Sequence, residues 1–530
     1  MSLILLWIEM LAACVLFAAT LVTVGLRRKS RKAGLAIGAV GVFVPLVPVG
    51  MFVAMMAAQQ FASAIRTNGF WWALLMLVCY LIGVGVTRRL ARRPDETGIR
   101  RADTWSVARM GTMLLVVITL LVMTLWNMVL KAQVEIQALR AEAGAMALSV
   151  VPPQVADSAN AARLYEQANE RYKTASVPVD ETLDYRKLDV RSPEVTGYLE
   201  RQGKALDLLR RAAEMPEYRP EYDYLQTGVE AMLAQQEPFR RRANLLAVAT
   251  KAEAADGKAD VALADCRRLY ALSGHARTPS TLLSGMVVVA IDALASKTIA
   301  EVLPFISNKG QLEGFTAPDP QAPRRGMVQA LRGEEAFGLA LYCDMGSGNY
   351  PPLSQPGGMS PSGGAGMWIL WVRDEVGFYR EAFARVRKIA EQPYDKTAAE
   401  RKEFEEDFHL GKRGVFGGII APELVKGLEL AAEAQALREA VGVAMAATGY
   451  RLDHGAYPAN AEALVPAYLD AIPLDPFDGK PLRFKKNEDG SITIYSIGRD
   501  GKDDGGQVES TKNVRAPDMG IILRAAPRQG

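Results

Sequence analysis

The residues best placed to do chemistry lie near the carboxyl end, in Asp500–Gly501–Lys502–Asp503–Asp504–Gly505–Gly506. Carboxylates on a glycine-rich turn suit a hard cation, but the run lacks the spacing and closing Glu of an EF-hand. A solvated acidic turn without metal is the alternative. The histidines, His275, His409 and His454, do not cluster, and none belongs to an H-E-x-x-H spacing. No G-x-S-x-G, Walker loop or G-x-G-x-x-G in strand-to-helix context is present, and the Ser-Gly-Gly-Ala-Gly run at 362–366 reads as linker. The acidic run Glu403–Asp407 reads as a solvated helix face. Four cysteines are too few for a disulfide scaffold. Cys14 and Cys79 fall in apolar stretches. Cys266 and Cys343 are either a bridge, if they face an oxidising compartment, or two buried thiols. The chain is therefore expected not to be an enzyme.

The elements that position these residues fall into two halves. The average composition, 49% hydrophobic and 23% charged, is too apolar for disorder and too charged for a protein that is membrane throughout. It conceals an amino-terminal part, 1–130, dense in Leu, Val, Met and Ala. There Ile4–Leu26, Ala33–Ala57, Phe70–Val86 and Met110–Leu130 each meet the roughly 17–25 apolar residues that a bilayer crossing takes. Only Glu9 carries charge within them. Basic residues crowd 27–32 (Arg27, Arg28, Lys29, Arg31, Lys32) and 87–109 (seven arginines), whereas 58–69 holds Arg66 alone. Positive loops stay in the cytoplasm. The expected protein is a multi-pass protein of a bacterial inner membrane, embedded in the lipid bilayer, with its amino terminus and everything after Leu130 on the periplasmic side. The net charge of +3 gives no case for nucleic acid.

Beyond Leu130 the text is helical. Residues 131–150 continue the fourth apolar helix, and Val151–Pro153 breaks it. Asp157 or Ser158 reads as the N-cap of a helix through 160–175. Apolar residues then recur at three and four over Glu194–Ala213, Tyr222–Leu233, Phe239–Ala254, Lys258–Ser273 and Pro279–Val302. The small residues of 243–272 resemble a tetratricopeptide-style hairpin, yet no strict 34-residue period is present. A plain α-helical domain with no dedicated groove remains the alternative. Residues 345–366 are rich in Gly, Pro and Ser and read as a flexible linker. Helix resumes over Met367–Gln392 and again near Glu423–Arg451. A short helix over Ala461–Tyr468 follows. Alternating strands are then expected at Pro481–Lys485 and Ser491–Ser496, joined through the Asp489–Gly490 turn, with a third at Ile521–Leu523.

Three spaced motifs occur in this last part: Asp453-x-Gly455-x-Tyr457-Pro458 at the helix exit, the Leu464–Pro476 run L-V-P-x-Y-L-D-x-I-P-x-D-P, and the Y-S-x-G-x-D-G-x-x-x-G-G loop over Tyr495–Gly506. Over Glu429–Leu523 the chain resembles the globular head of the major pseudopilin of type II secretion systems. More loosely, its layout is similar to a group of uncharacterised bacterial envelope proteins in which an Asn-Ala-Ala-x-x-Tyr region, here Asn160–Tyr165, precedes such a head. The pseudopilin resemblance implies a calcium site on Ser496, Asp500, Asp503, Asp504 and, after a longer insertion, Asp518. In it Ca2+ would pin the loop onto the strands. Pseudopilins carry a cleaved basic leader and one filament-packing helix, whereas four spans are expected here ahead of the head, with neither cleavage nor polymerisation into a pseudopilus expected.

The expected fold class is a membrane α-helical part with four spans (1–130), an exported all-α helical-repeat-like region (131–344), the linker (345–366), a helical region (367–428) and a small α+β pseudopilin-like head (429–530). The expected function is that of a non-enzymatic, inner-membrane-anchored scaffold with protein partners in the envelope, beside a type II secretion or pilus-like system. The alternative is a membrane-bound enzyme or transport component with a site among the helices.

Overall fold

The structure, a computed structural model, describes residues 127–174, 189–221, 229–278, 280–347, 368, 372–408, 416–509 and 516–525. The helices are α1 (127–150), α2 (Ala162–Thr174), α3 (Pro193–Ala213), α4 (Val229–Ala255), α5 (Ala259–His275), α6 (Leu282–Val302), α7 (Lys309–Glu313), α8 (Ala322–Ser347), α9 (Arg373–Ala390), α10 (Ala398–Asp407) and α11 (Phe416–His454). Strands β1 (Arg483–Lys486), β2 (Ile492–Ser496) and β3 (Met519–Leu523) form one antiparallel sheet in that order. Its register pairs Phe484 with Ile494 and Ile494 with Ile521.

The chain divides into two compact units. The smaller includes the described residues 127–137, 344–347, 368 and 372. Here the Trp368 indole N–H donates to Glu135 Oε2 at 3.0 Å, and Gly346 lies close to the Trp368 ring and Ile136.

The larger unit, Ala138–Cys343 with Arg373–Gly530, holds the array and the sheet together. Two apolar clusters build it. One joins α2 to α6 through Tyr165, Leu209, Phe239, Leu246, Leu269 and Ile291. The other joins the ends of α5 and α6 to α11 and to the inward face of the sheet, through Cys266, Ile299, Val441, Ile494, Ile521 and Leu523.

Local signals explain the helix ends. Ser192 accepts from the Val195 amide with Pro193 at the first helical position. Thr281 and Ser284 form a reciprocal capping box at the start of α6. The helix after Asp157 starts differently from expectation. Asp157–Ala159 make a single 3-10 turn, and the Asn160 side chain accepts the Ala162 amide at 3.1 Å. The expected helices Tyr222–Leu233 and Phe239–Ala254 are replaced by α4, which runs through Pro238. The expected helix over Ala461–Tyr468 shrinks to one 3-10 turn, Glu462–Leu464. Helix α8 lies in the region expected to be helical (131–344) and runs three residues into the expected linker, and α10 lies within the expected helical region 367–428.

The four-span fold class is not what the structure presents. The described residues are mostly helical with a small sheet, and one helical stretch among them, Leu282–Phe305, is long and apolar enough to cross a membrane by length and composition. Its mean hydropathy is 1.7, and half of that window is buried inside the protein. The physical reason is its position: α6 packs against α4, α5, α11 and β3, so it is apolar around most of its circumference. The expected stretches Ile4–Leu26, Ala33–Ala57 and Phe70–Val86, and Met110–Leu130 up to 126, lie outside the described residues. So does the linker beyond Ser347 up to 366. The sheet shares an apolar core with α5, α6 and α11.

Candidate functional site

The loop that follows β2 is held from beneath by a residue of the preceding turn. Asp475 is fully buried. Its Oδ1 accepts the Ser496 hydroxyl at 2.8 Å and the Phe477 amide at 2.9 Å; its Oδ2 accepts the Ile497 amide at 3.0 Å and Arg483 Nη1 at 2.7 Å. A carboxylate has about four acceptor sites, so Asp475 is saturated. Arg483, on β1, also forks onto Asp478, Nη2 to Oδ2 at 2.6 Å. That hydrogen bond holds the Asp478 carboxyl below its usual range.

A second buried carboxylate, Asp518, holds the far side. Its oxygens accept the amides of Asp504 at 3.3 Å, Gly506 at 2.8 Å and Gln507 at 3.1 Å. Asp503 Oδ1 accepts the Tyr495 hydroxyl and the Gly505 amide, both at 3.0 Å. Burial pushes that hydroxyl up to about 12, with the Asp503 hydrogen bond adding to it. Asp500 accepts the Lys502 amide at 3.1 Å on the outside of the loop. Ser496 Oγ accepts the Gly498 amide at 3.0 Å. Gly498 has φ +66°, and a Cβ there would sit 2.9 Å from the Pro517 carbonyl oxygen. Arg499 ties the loop to α11, with Nε and Nη2 donating to Glu433 Oε1 at 2.9 and 2.7 Å.

The residues expected to hold calcium are thus brought to one loop but do not converge as a cage. Among the described residues no three His, Cys, Asp or Glu side chains gather as a metal-holding group. Calcium takes six to eight oxygens. The oxygens of Asp518 face N–H groups, whose positive ends point to where the cation would have to sit. In this arrangement the set Ser496, Asp500, Asp503, Asp504 and Asp518 does not fit calcium. Sequence reasoning assigned no role to Asp475, Arg483 or Glu433. The signal for Asp475 was its place in a Leu-Asp-Pro-Phe-Asp-Gly turn, but its partners become visible only once β2 ends beside it.

The array holds a second polar centre, and the Asn-Ala-Ala-x-x-Tyr motif builds it. Asn160 Oδ1 accepts the Arg219 amide at 2.9 Å, and Nδ2 donates to the Arg219 carbonyl at 2.8 Å. Tyr165 then reaches inward and shares a 2.8 Å hydrogen bond with His275 Nδ1. Tyr218 and Phe239 meet its ring edge-on at 5.6 Å, and the Arg242 guanidinium lies 4.5 Å from its centroid. Burial pushes the His275 imidazole down to about 4, and Arg242 lowers it further. A neutral ring enclosed this way is a packed core group.

Two further charge clusters cross between helices. Asp292 on α6 and Arg438 on α11 are both buried and pair through two hydrogen bonds, 3.0 and 2.7 Å. Ser273 donates to Asp292 at 2.6 Å, and Arg438 Nη1 reaches the Asp319 carbonyl at 3.0 Å. Arg210 on α3 donates to the buried Asp265 at 2.6 Å and to Glu253 at 2.6 Å. The structure does not join Cys266 and Cys343 in a disulfide; both are buried. Burial pushes the Cys266 thiol up, away from the reactive thiolate. Of the other histidines, His454 stacks on Tyr450 at 4.0 Å at the exposed end of α11, and His409 lies outside the described residues.

No known family, curated protein or solved structure matches this chain.

Proposed function

We propose that this protein works by protein–protein contact, as a scaffold or assembly component of a bacterial envelope. In this reading the head-like sheet and loop are displayed on the periplasmic side of the inner membrane and serve a secretion or pilus-like machine. The basic residues of 27–32 and 87–109, flanking apolar chain, support that placement. The resemblance of Glu429–Leu523 to a pseudopilin head supports the kind of partner.

The observation that carries the reading is the state of the loop over 497–507. Its inner side is held by Asp475 and Asp518, both buried, while Asp500, Lys502 and Asp504 are exposed. A surface fixed before contact loses less conformational entropy when a partner docks.

The test is crosslinking in native membranes with mass spectrometry of what is caught. A protein partner is expected. Its capture should fall several-fold when Asp500, Lys502 and Asp504 are replaced together by alanine, with the melting temperature unchanged. Capture that ignores the triple variant would overturn the role of the loop. A reporter enzyme fused after Gly530 that is active only in the cytosol would overturn the placement.

A further inference from the structure

We draw no further inference here: the strongest candidate, the apolar outer face of helix α1 with exposed Leu130, Val134 and Leu148, has nothing among the described residues to show what covers it.

Discussion

The helical array and the sheet with its loop both bury charge, but they bond it differently. In the array, side chain meets side chain: Asp292 with Arg438, and Asp265 with Arg210. Around the loop, side chain meets backbone: Asp518 accepts three amides, and Asp475 accepts two amides beside its hydroxyl and guanidinium partners. The cause lies in the backbone. A helix satisfies its own N–H and C=O groups except at the ends, so what crosses between helices has to be side chains. A loop leaves its amides orphaned, and burial obliges something to accept from them. Charge in the array therefore fixes how helices sit, and charge in the head fixes the shape of one loop.

The largest expected effect comes from the array. Asp292→Ala leaves Arg438 charged, buried and without its carboxylate. It is expected to cost about 3–5 kcal/mol in urea unfolding, the usual penalty for removing one partner of a buried pair. The loss should be global, since the pair joins α6 to α11. If Asp292→Ala loosens only local amides, the pair is not what orders the two helices.

Asp475→Ala is expected to cost about 3 kcal/mol, near the upper end for withdrawing a charged acceptor from buried donors. Here the response should be local. Hydrogen exchange should rise across 477–507 and stay unchanged in α4 and α5. Equal loosening in both places would break the distinction between the two regions.

That distinction also explains what was legible in the sequence. The motif loop, its glycines and the three strands could be read because their determinants are close in sequence: Asp489–Gly490 turns β1 into β2, and Asp503 bonds Tyr495 eight residues back. The Asp292–Arg438 pair spans 146 residues and follows no local pattern. Leu282–Phe305 shows the same limit from the other side. Its apolar run read as one helix among several in an array, whereas its enclosure by α4, α5, α11 and β3 comes from distant chain. The calcium site was implied by the pseudopilin resemblance, and a motif match does not reveal that Asp518 already accepts the amides of Asp504, Gly506 and Gln507.

A smaller effect is expected from Tyr165→Phe, which removes one hydroxyl but keeps the ring contacts with Tyr218, Phe239 and the Arg242 guanidinium. About 1 kcal/mol is the ordinary net value of such a bond. Thermal unfolding that does not change would mean that the rings alone organise the centre.

Glu439, half-buried on α11 near Asp319, gives the array a pH dependence. Burial first, and then the Asp319 charge, pushes its carboxyl up to about 7. The folded state thus favours the protonated form. The stability it contributes is complete below the unfolded value, near 4.3, and is lost as pH rises toward 7. Glu439→Gln should therefore melt higher than the parent chain at pH 8, with the advantage fading toward pH 4.5. His275, held low, acts in the opposite sense below pH 6.5, so the comparison is made between the two chains at each pH. An advantage that is the same at both pH values would show that ionisation is not its source.

The smallest expected effect is that of calcium, and it bears most directly on how the loop is held. In a loop pinned by metal, carboxylate oxygens turn toward a shared centre, and chelation frees them to repel one another. Here two buried carboxylates already meet N–H donors and a guanidinium, so chelation has nothing to remove. Melting curves of the full chain with millimolar calcium and with chelator are expected to coincide. A calcium-dependent rise that Asp518→Asn abolishes would mean that the amides of Asp504, Gly506 and Gln507 give way to a cation. The loop would then be shaped by an ion, and the contrast with the array would shift from backbone donors to metal.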